Sequence, residues 1–203
     1  MPARPLVLCA LLLIVSTNVS AAGREPVLKQ VDLPHSYYWR ELYLPQLTTG
    51  PSSVSFMPDG QTLVYSMSGS LWQQRIGDDE AVELTHANGA YDYQPDVARD
   101  GRSVVFTRYD GNAMELWLLD LRSGRAHALT SGGTVNVEPR LSPDGKRIVW
   151  VSTQGTGHFN LFVAELGADG VNNARPLLGE RKSAIERYYY SAFDHAINPS
   201  WSP

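Results

Sequence analysis

Pro139-Arg140-Leu141-Ser142-Pro143-Asp144-Gly145-Lys146-Arg147-Ile148-Val149-Trp150 decides the fold, because two earlier segments of the chain repeat it in outline. Phe56-Met57-Pro58-Asp59-Gly60 and Val97-Ala98-Arg99-Asp100-Gly101 carry the same turn, and the successive Asp-Gly pairs lie 41 and 44 residues apart. Trp201-Ser202-Pro203 begins a fourth copy. After each pair come a long polar residue (Gln61, Arg102, Lys146), a further polar residue and an apolar run: Leu63-Val64-Tyr65, Val104-Val105-Phe106 or Ile148-Val149-Trp150. Asp-Gly supplies the positive φ that a tight hairpin turn needs, and β-branched and aromatic flanks suit a pleated, buried surface.

A third apolar cluster follows in every copy, at Leu71-Trp72, Leu116-Trp117-Leu118 and Leu161-Phe162-Val163. A fourth comes at Val82-Glu83-Leu84-Thr85 and Ala126-His127-Ala128-Leu129-Thr130, with a weaker counterpart at Arg175-Pro176-Leu177-Leu178. Four short strands in each repeat of 41 to 44 residues is the arithmetic of a β-propeller blade. The apolar runs do not alternate with polar residues, as expected of sheets covered on both faces. Helical spacing is confined to the neighbourhood of Ser183 to Phe193. The fold class expected is all-β.

These residues resemble the Pro-x-aromatic-Ser-Pro-Asp-Gly-Lys repeat of TolB-like propellers, from about Pro51 to Pro203. Val54 stands at the first proline position, Arg99 replaces a turn proline, and Leu141 takes the usual aromatic place. The resemblance implies a six-bladed ring in the periplasm or outside the cell, of which about three blades are here: 51–94, 95–138 and 139–198, with 199–203 opening another. It also implies a choice of roles. In TolB itself the propeller follows an α/β domain and binds envelope proteins; elsewhere such repeats precede the catalytic domain of exported amidohydrolases or prolyl-oligopeptidase-type serine peptidases. Residues 23–50 are too few for that α/β domain, and Leu42 to Gly50 resembles the last two strands of a blade. The array therefore reads as truncated, with about 300 Å² of bare sheet at each open blade face and a tendency to self-associate through it.

The N-terminus reads as a secretory signal peptide. Arg4, the apolar run Leu6 to Val15 and the small residues ending Ala21-Ala22 fit cleavage near Ala21 or Ala22. The apolar run is about half the ~20 residues a membrane span needs, so no retained anchor is expected. Removing residues 1–22 takes Arg4 from the 17 basic side chains, leaving 16 against 21 acidic ones and a net charge of -5. That balance disfavours nucleic acid as a partner. The single cysteine, Cys9, leaves with the signal, which removes disulfides and thiol chemistry from the mature chain.

Catalytic motifs are missing. Ser66-Met67-Ser68-Gly69-Ser70 lacks the first glycine of a nucleophile elbow, and His35, His86, His127, His158 and His195 form no His-x-His or His-Glu-x-x-His pattern. His127 reads as a structural histidine. Asp110-Gly111-Asn112 with Glu115 reads as a turn, since the acidic spacing of a calcium loop is incomplete. No cofactor or metal is expected.

Two groups remain as candidate contacts. The segments leading into the innermost strands, Tyr91-Asp92-Tyr93-Gln94, Asn136-Val137-Glu138 and His195-Ala196-Ile197-Asn198, lie near the channel of a propeller; they either line a funnel for a ligand or bond blade to blade. The stretch Arg181 to Ile197 is an insertion, since the recurring prolines spread from 44 residues apart (Pro95 to Pro139) to 60 (Pro139 to Pro199). Its Tyr188, Tyr189, Tyr190, Asp194 and His195 either meet a partner or cap a blade edge. The expected partner is an envelope protein or peptide, or a downstream catalytic domain.

Overall fold

The computed structural model describes residues 50–86, 88–179 and 195–202. The signal segment, the arm before Gly50, and Tyr188, Tyr189, Tyr190 and Asp194 lie outside them, as does the helical spacing near Ser183 to Phe193. The described residues form twelve strands: β1 Ser52–Phe56, β2 Thr62–Met67, β3 Ser70–Arg75, β4 Val82–Glu83, β5 Tyr91–Val97, β6 Ser103–Tyr109, β7 Met114–Asp120, β8 Arg125–Ala128, β9 Asn136–Leu141, β10 Arg147–Ser152, β11 Asn160–Leu166 and β12 Val171–Pro176. They pair antiparallel as three four-stranded sheets, β1-β2-β3-β4, β5-β6-β7-β8 and β9-β10-β11-β12.

Each Asp-Gly repeat closes the hairpin between the first and second strands of its sheet. Gly60, Gly101 and Gly145 sit at φ of 64°, 68° and 69°, where a Cβ is disfavoured. The preceding carboxylate accepts the N–H two residues on: Asp59 from Gln61 at 2.9 Å, Asp100 from Arg102 at 2.9 Å and Asp144 from Lys146 at 3.1 Å. Backbone closure recurs too, with Met57, Ala98 and Ser142 donating to Thr62, Ser103 and Arg147 at 2.8–2.9 Å.

The recurring proline marks a β-bulge. Gln94-Pro95 together oppose Phe106, and Glu138-Pro139 oppose Trp150, so the inner strand carries an extra residue where proline has no N–H to donate. Ser53, Gln94, Glu138 and Asn198 all take φ of 47–55° at this point, an uncommon conformation for residues with a Cβ. Because of the bulge, Tyr91 to Gln94 and Asn136 to Glu138 belong to strands β5 and β9 themselves. They are not lead-ins: β5 starts at Tyr91 and β9 at Asn136. In the third sheet the outer strand is Val171–Pro176, whereas the sequence placed it at Arg175 to Leu178. Asn172 pairs with Glu165 of β11 despite its poor strand propensity, while Asn173 falls in a bulge opposite Ala164 at φ of 54°, a conformation asparagine adopts more readily than most residues.

The core lies between sheets. Val64 and Leu71 of the first sheet meet Val104, Phe106 and Leu119 of the second. Val105, Leu116 and Leu129 of the second meet Leu141, Ile148, Trp150, Phe162 and Ala164 of the third. Each central strand thus carries apolar side chains to both faces, as its unbroken run requires. Residues 195–202 continue the stack: the Trp201 indole N–H donates to the Arg140 carbonyl at 3.0 Å, and the Arg147 guanidinium lies 5.0 Å from the Trp201 ring centroid.

Candidate functional site

The first strands of successive sheets, β1, β5 and β9, are tied by two rows of side-chain acceptors. In the bulge row, Gln94 Oε1 accepts the Glu138 N–H at 2.9 Å and Glu138 Oε2 accepts the Asn198 N–H at 2.5 Å. Two residues further along, Ser55 Oγ accepts the Val97 N–H at 3.1 Å and Asp96 Oδ2 the Leu141 N–H at 2.7 Å. Glu138 and Asn198 therefore serve blade-to-blade bonding. Burial raises the Asp96 carboxyl above its ordinary value, opposed only in part by the Leu141 N–H and nearby Arg140.

Asp92 is fully buried and receives a bidentate bond from Arg108, at 2.6 Å to Oδ1 and 2.8 Å to Oδ2. The guanidinium lies 4.2 Å from the Trp117 ring centroid and 5.5 Å from that of Phe106. The Asp92 backbone is held as well, its N–H by Gly69 O at 2.9 Å and its carbonyl by Ser66 Oγ at 2.6 Å.

Asn136 occupies the same repeat position as Asp92 and solves the same problem differently. Its Oδ1 accepts the Trp150 indole N–H at 3.0 Å, and its Nδ2 donates to Glu115 Oε2 and to Thr134 Oγ1, each at 3.0 Å. Glu115 also accepts from Thr130 Oγ1 at 2.7 Å and from the Gly133 N–H at 2.8 Å. The sequence reading grouped Glu115 with Asp110; the structure sends them to separate partners, Asp110 Oδ1 capping its own turn by accepting from Asn112 and Ala113. Nothing in the spacing of Glu115 and Asn136 announces their meeting. The signal was the oddity of a carboxylate beside Leu116-Trp117.

Tyr93 is buried, its hydroxyl 3.5 Å from Met114 Sδ. Desolvation, with Glu138 adding to it, pushes its phenol far above the ordinary value. Tyr91 stacks on Tyr109 at 6.4 Å. His195 docks on the corner before β11: its Nδ1 accepts the Phe159 N–H at 3.2 Å and its ring meets Phe159 and His158 at 5.6 and 5.8 Å. Asp92 and Tyr93 thus lie on β5, Asn136 and Glu138 on β9 with Asn198 bonded to Glu138, and His195 sits apart, at the corner before β11. Among the described residues no group of three or more His, Cys, Asp or Glu is placed to hold a metal ion.

Comparison with known proteins bears on this geometry. No protein-family model matches the chain. In sequence it is 32% identical over 73 residues to the Tol-Pal system protein TolB of Francisella tularensis subsp. tularensis, a match covering 36% of this chain and 17% of that protein's length. Among solved structures it superposes on TolB from Acinetobacter baumannii with a TM-score of 0.54 at 21% identity, covering 61% of this chain and 31% of that one. The chain is built of TolB-like β-propeller repeats. A protein assigned as TolB in Agrobacterium tumefaciens agrees, with a TM-score of 0.55 at 19% identity over 66% of this chain and 50% of that one. In TolB-like terms the three sheets are successive blades of an incomplete ring, and the acceptor rows join β1 to β5, β5 to β9, and β9 to the segment at Asn198.

Proposed function

We propose that the chain is an exported TolB-like propeller segment that works in the cell envelope as a binding module, taking a protein or peptide partner. A propeller hosts many functions. The observation that carries this one is the 73-residue match to a Tol-Pal system protein. The buried polar groups Asp92, Asn136 and Glu115 are engaged within the fold: Asp92 pairs with Arg108 in its own blade, and Asn136 bonds Trp150 in its own blade and Glu115 of the preceding one. Secretion and cleavage near Ala21 or Ala22 follow from the signal-like N-terminus.

The test is fractionation of cells expressing the full chain, N-terminal sequencing of the exported product, and calorimetric titration against the Tol-Pal components of its own host. The reading expects a periplasmic product starting at Ala22 or Gly23 and saturable binding without turnover. A cytoplasmic, uncleaved product would overturn export, and hydrolysis of peptide or amide substrates by the intact parent would favour an enzyme's propeller. Reading the gene beyond codon 203 separates the same alternatives: a Gly-x-Ser-x-Gly or His-x-His downstream marks a catalytic parent.

A further inference from the structure

Asn88 is the one asparagine in the sequence followed by glycine, and the pair forms the exposed tip of the turn between β4 and β5. The turn is anchored on both sides. Leu84 donates its N–H to the Leu71 carbonyl at 2.8 Å, and Asp92 donates to the Gly69 carbonyl at 2.9 Å. Gly89 stands at φ of 76°, which disfavours any residue with a Cβ, so the turn geometry itself calls for glycine here. Nothing lies within 4 Å of the place a Cβ would take, and water reaches the pair freely.

The hydrogen bonding leaves this pair ready to react. Asn88 donates its own N–H to the His86 carbonyl at 3.0 Å, but among the described residues neither its carboxamide nor the Gly89 N–H has a hydrogen-bond partner. Asn136 and Asn160, by contrast, hold their carboxamides in hydrogen bonds. The five Asp-Gly pairs of the sequence carry a carboxylate, a poor electrophile at neutral pH. In the three repeat turns the glycine N–H is occupied as well: Gly60 donates to Met57 at 3.0 Å, Gly101 to Ala98 at 2.9 Å and Gly145 to Ser142 at 2.8 Å.

We infer that Asn88-Gly89 is a site of spontaneous modification in the folded chain. The Gly89 nitrogen attacks the Asn88 side-chain carbonyl carbon, closing a five-membered imide. The carboxamide nitrogen leaves as ammonia and takes up the proton that Gly89 loses. Water then opens the ring at either carbonyl, giving aspartate or isoaspartate, and nothing is oxidised or reduced. Both products add a negative charge two residues from His86, whose Nδ1 lies 3.1 Å from Glu83 Oε2. Isoaspartate also adds one carbon to the main chain that links the first blade to the second.

The experiment incubates the native full chain and an Asn88→Gln variant at mildly acidic and mildly alkaline pH, and follows both by ion exchange and peptide mapping with mass spectrometry. The Asn88 peptide should exchange its amide for an acid and split into two isomers. Its conversion should run about tenfold or more faster than that of Asn112 or Asn136, whose following residues crowd the attacking nitrogen with a Cβ. The rate should rise with hydroxide, since the Gly89 nitrogen attacks after losing its proton. Asn88→Gln must close a larger ring, and the acidic form seen by ion exchange should fail to accumulate. An Asn88 peptide that stays intact while other asparagines convert, one that converts only after unfolding in urea, or an acidic form that accumulates equally in Asn88→Gln would each overturn the inference.

Discussion

The carboxylate of Asp96 on one blade accepts the backbone N–H of Leu141 on the next, at 2.7 Å and in a partly buried setting. Ser55 makes the equivalent bond to Val97 at 3.1 Å. A neutral hydroxyl and a carboxylate thus do the same mechanical job at the same repeat position, and the difference between them is charge.

That difference predicts a pH dependence. Burial holds the folded Asp96 carboxyl above its ordinary value of 3.8, so its contribution to stability is complete below that value and is lost as pH rises through the folded value. Asp96→Asn keeps an acceptor for Leu141 and removes the ionisation; its urea midpoint at neutral pH should equal or exceed that of the wild type, with the gap closing toward acid. Asp96→Ala strands the Leu141 N–H and should cost about 1–3 kcal/mol. A lower midpoint for Asp96→Asn than for the wild type at neutral pH would refute the assignment.

The turn acids respond in the opposite direction. The Ser142 hydroxyl and the Lys146 N–H hold the Asp144 carboxyl below its ordinary value, so the stability it lends is present above 3.8 and disappears as pH falls through the folded value. Asp144→Ala should lower the melting temperature at neutral pH and much less in acid. Nothing lies within 4 Å of a Cβ built at Gly145, so Gly145→Ala tests conformation alone and should cost about 1–2 kcal/mol. Equal melting temperatures for Gly145→Ala and wild type would show that the turn tolerates a side chain at this φ.

The Asp92–Arg108 pair should be sensitive to losing one partner and tolerant of losing both. Arg108→Leu leaves a carboxylate with no exposed surface and no counter-ion, a change that costs about 3–5 kcal/mol in buried pairs. Asp92→Asn combined with Arg108→Leu should recover most of that loss. A double-mutant cycle with additive penalties would show that the guanidinium acts through its contact with Trp117 instead.

The repeat was legible where chemistry is local. Asp59-Gly60, Asp100-Gly101 and Asp144-Gly145 fix three hairpins through bonds spanning two residues, and the apolar runs after them became β2, β6 and β10. The inner side of the blades was harder to read. Asp92 and Arg108 stand 16 residues apart and meet only because β5 pairs with β6 in one register. The bulge at Gln94-Pro95 interrupts the periodicity that would have joined Tyr91 to Val97 as one strand. Glu115 and Asn136 come from neighbouring blades, a relationship that no spacing within one repeat encodes.

The third blade contains a substitution with its own compensation. In the first two blades the threonine after the outer-strand leucine accepts an N–H from the third strand: Thr85 Oγ1 from Leu71 and Thr130 Oγ1 from Leu116, both at 2.9 Å. The third blade has Leu178 there, and the Leu161 N–H turns to Asn160 Oδ1 at 2.8 Å, while Asn160 Nδ2 donates to the Leu178 carbonyl at 2.8 Å. Asn160→Ala removes both bonds and should destabilise by roughly 1–2 kcal/mol. Leu178→Thr alone should change little, since Asn160 already meets the need. In the Asn160→Ala background Leu178→Thr should restore most of the lost stability by recreating the acceptor of the other two blades. Chemical denaturation of the four chains measures this coupling, and additive effects would mean that the third blade does not share the hydrogen-bond plan of the first two.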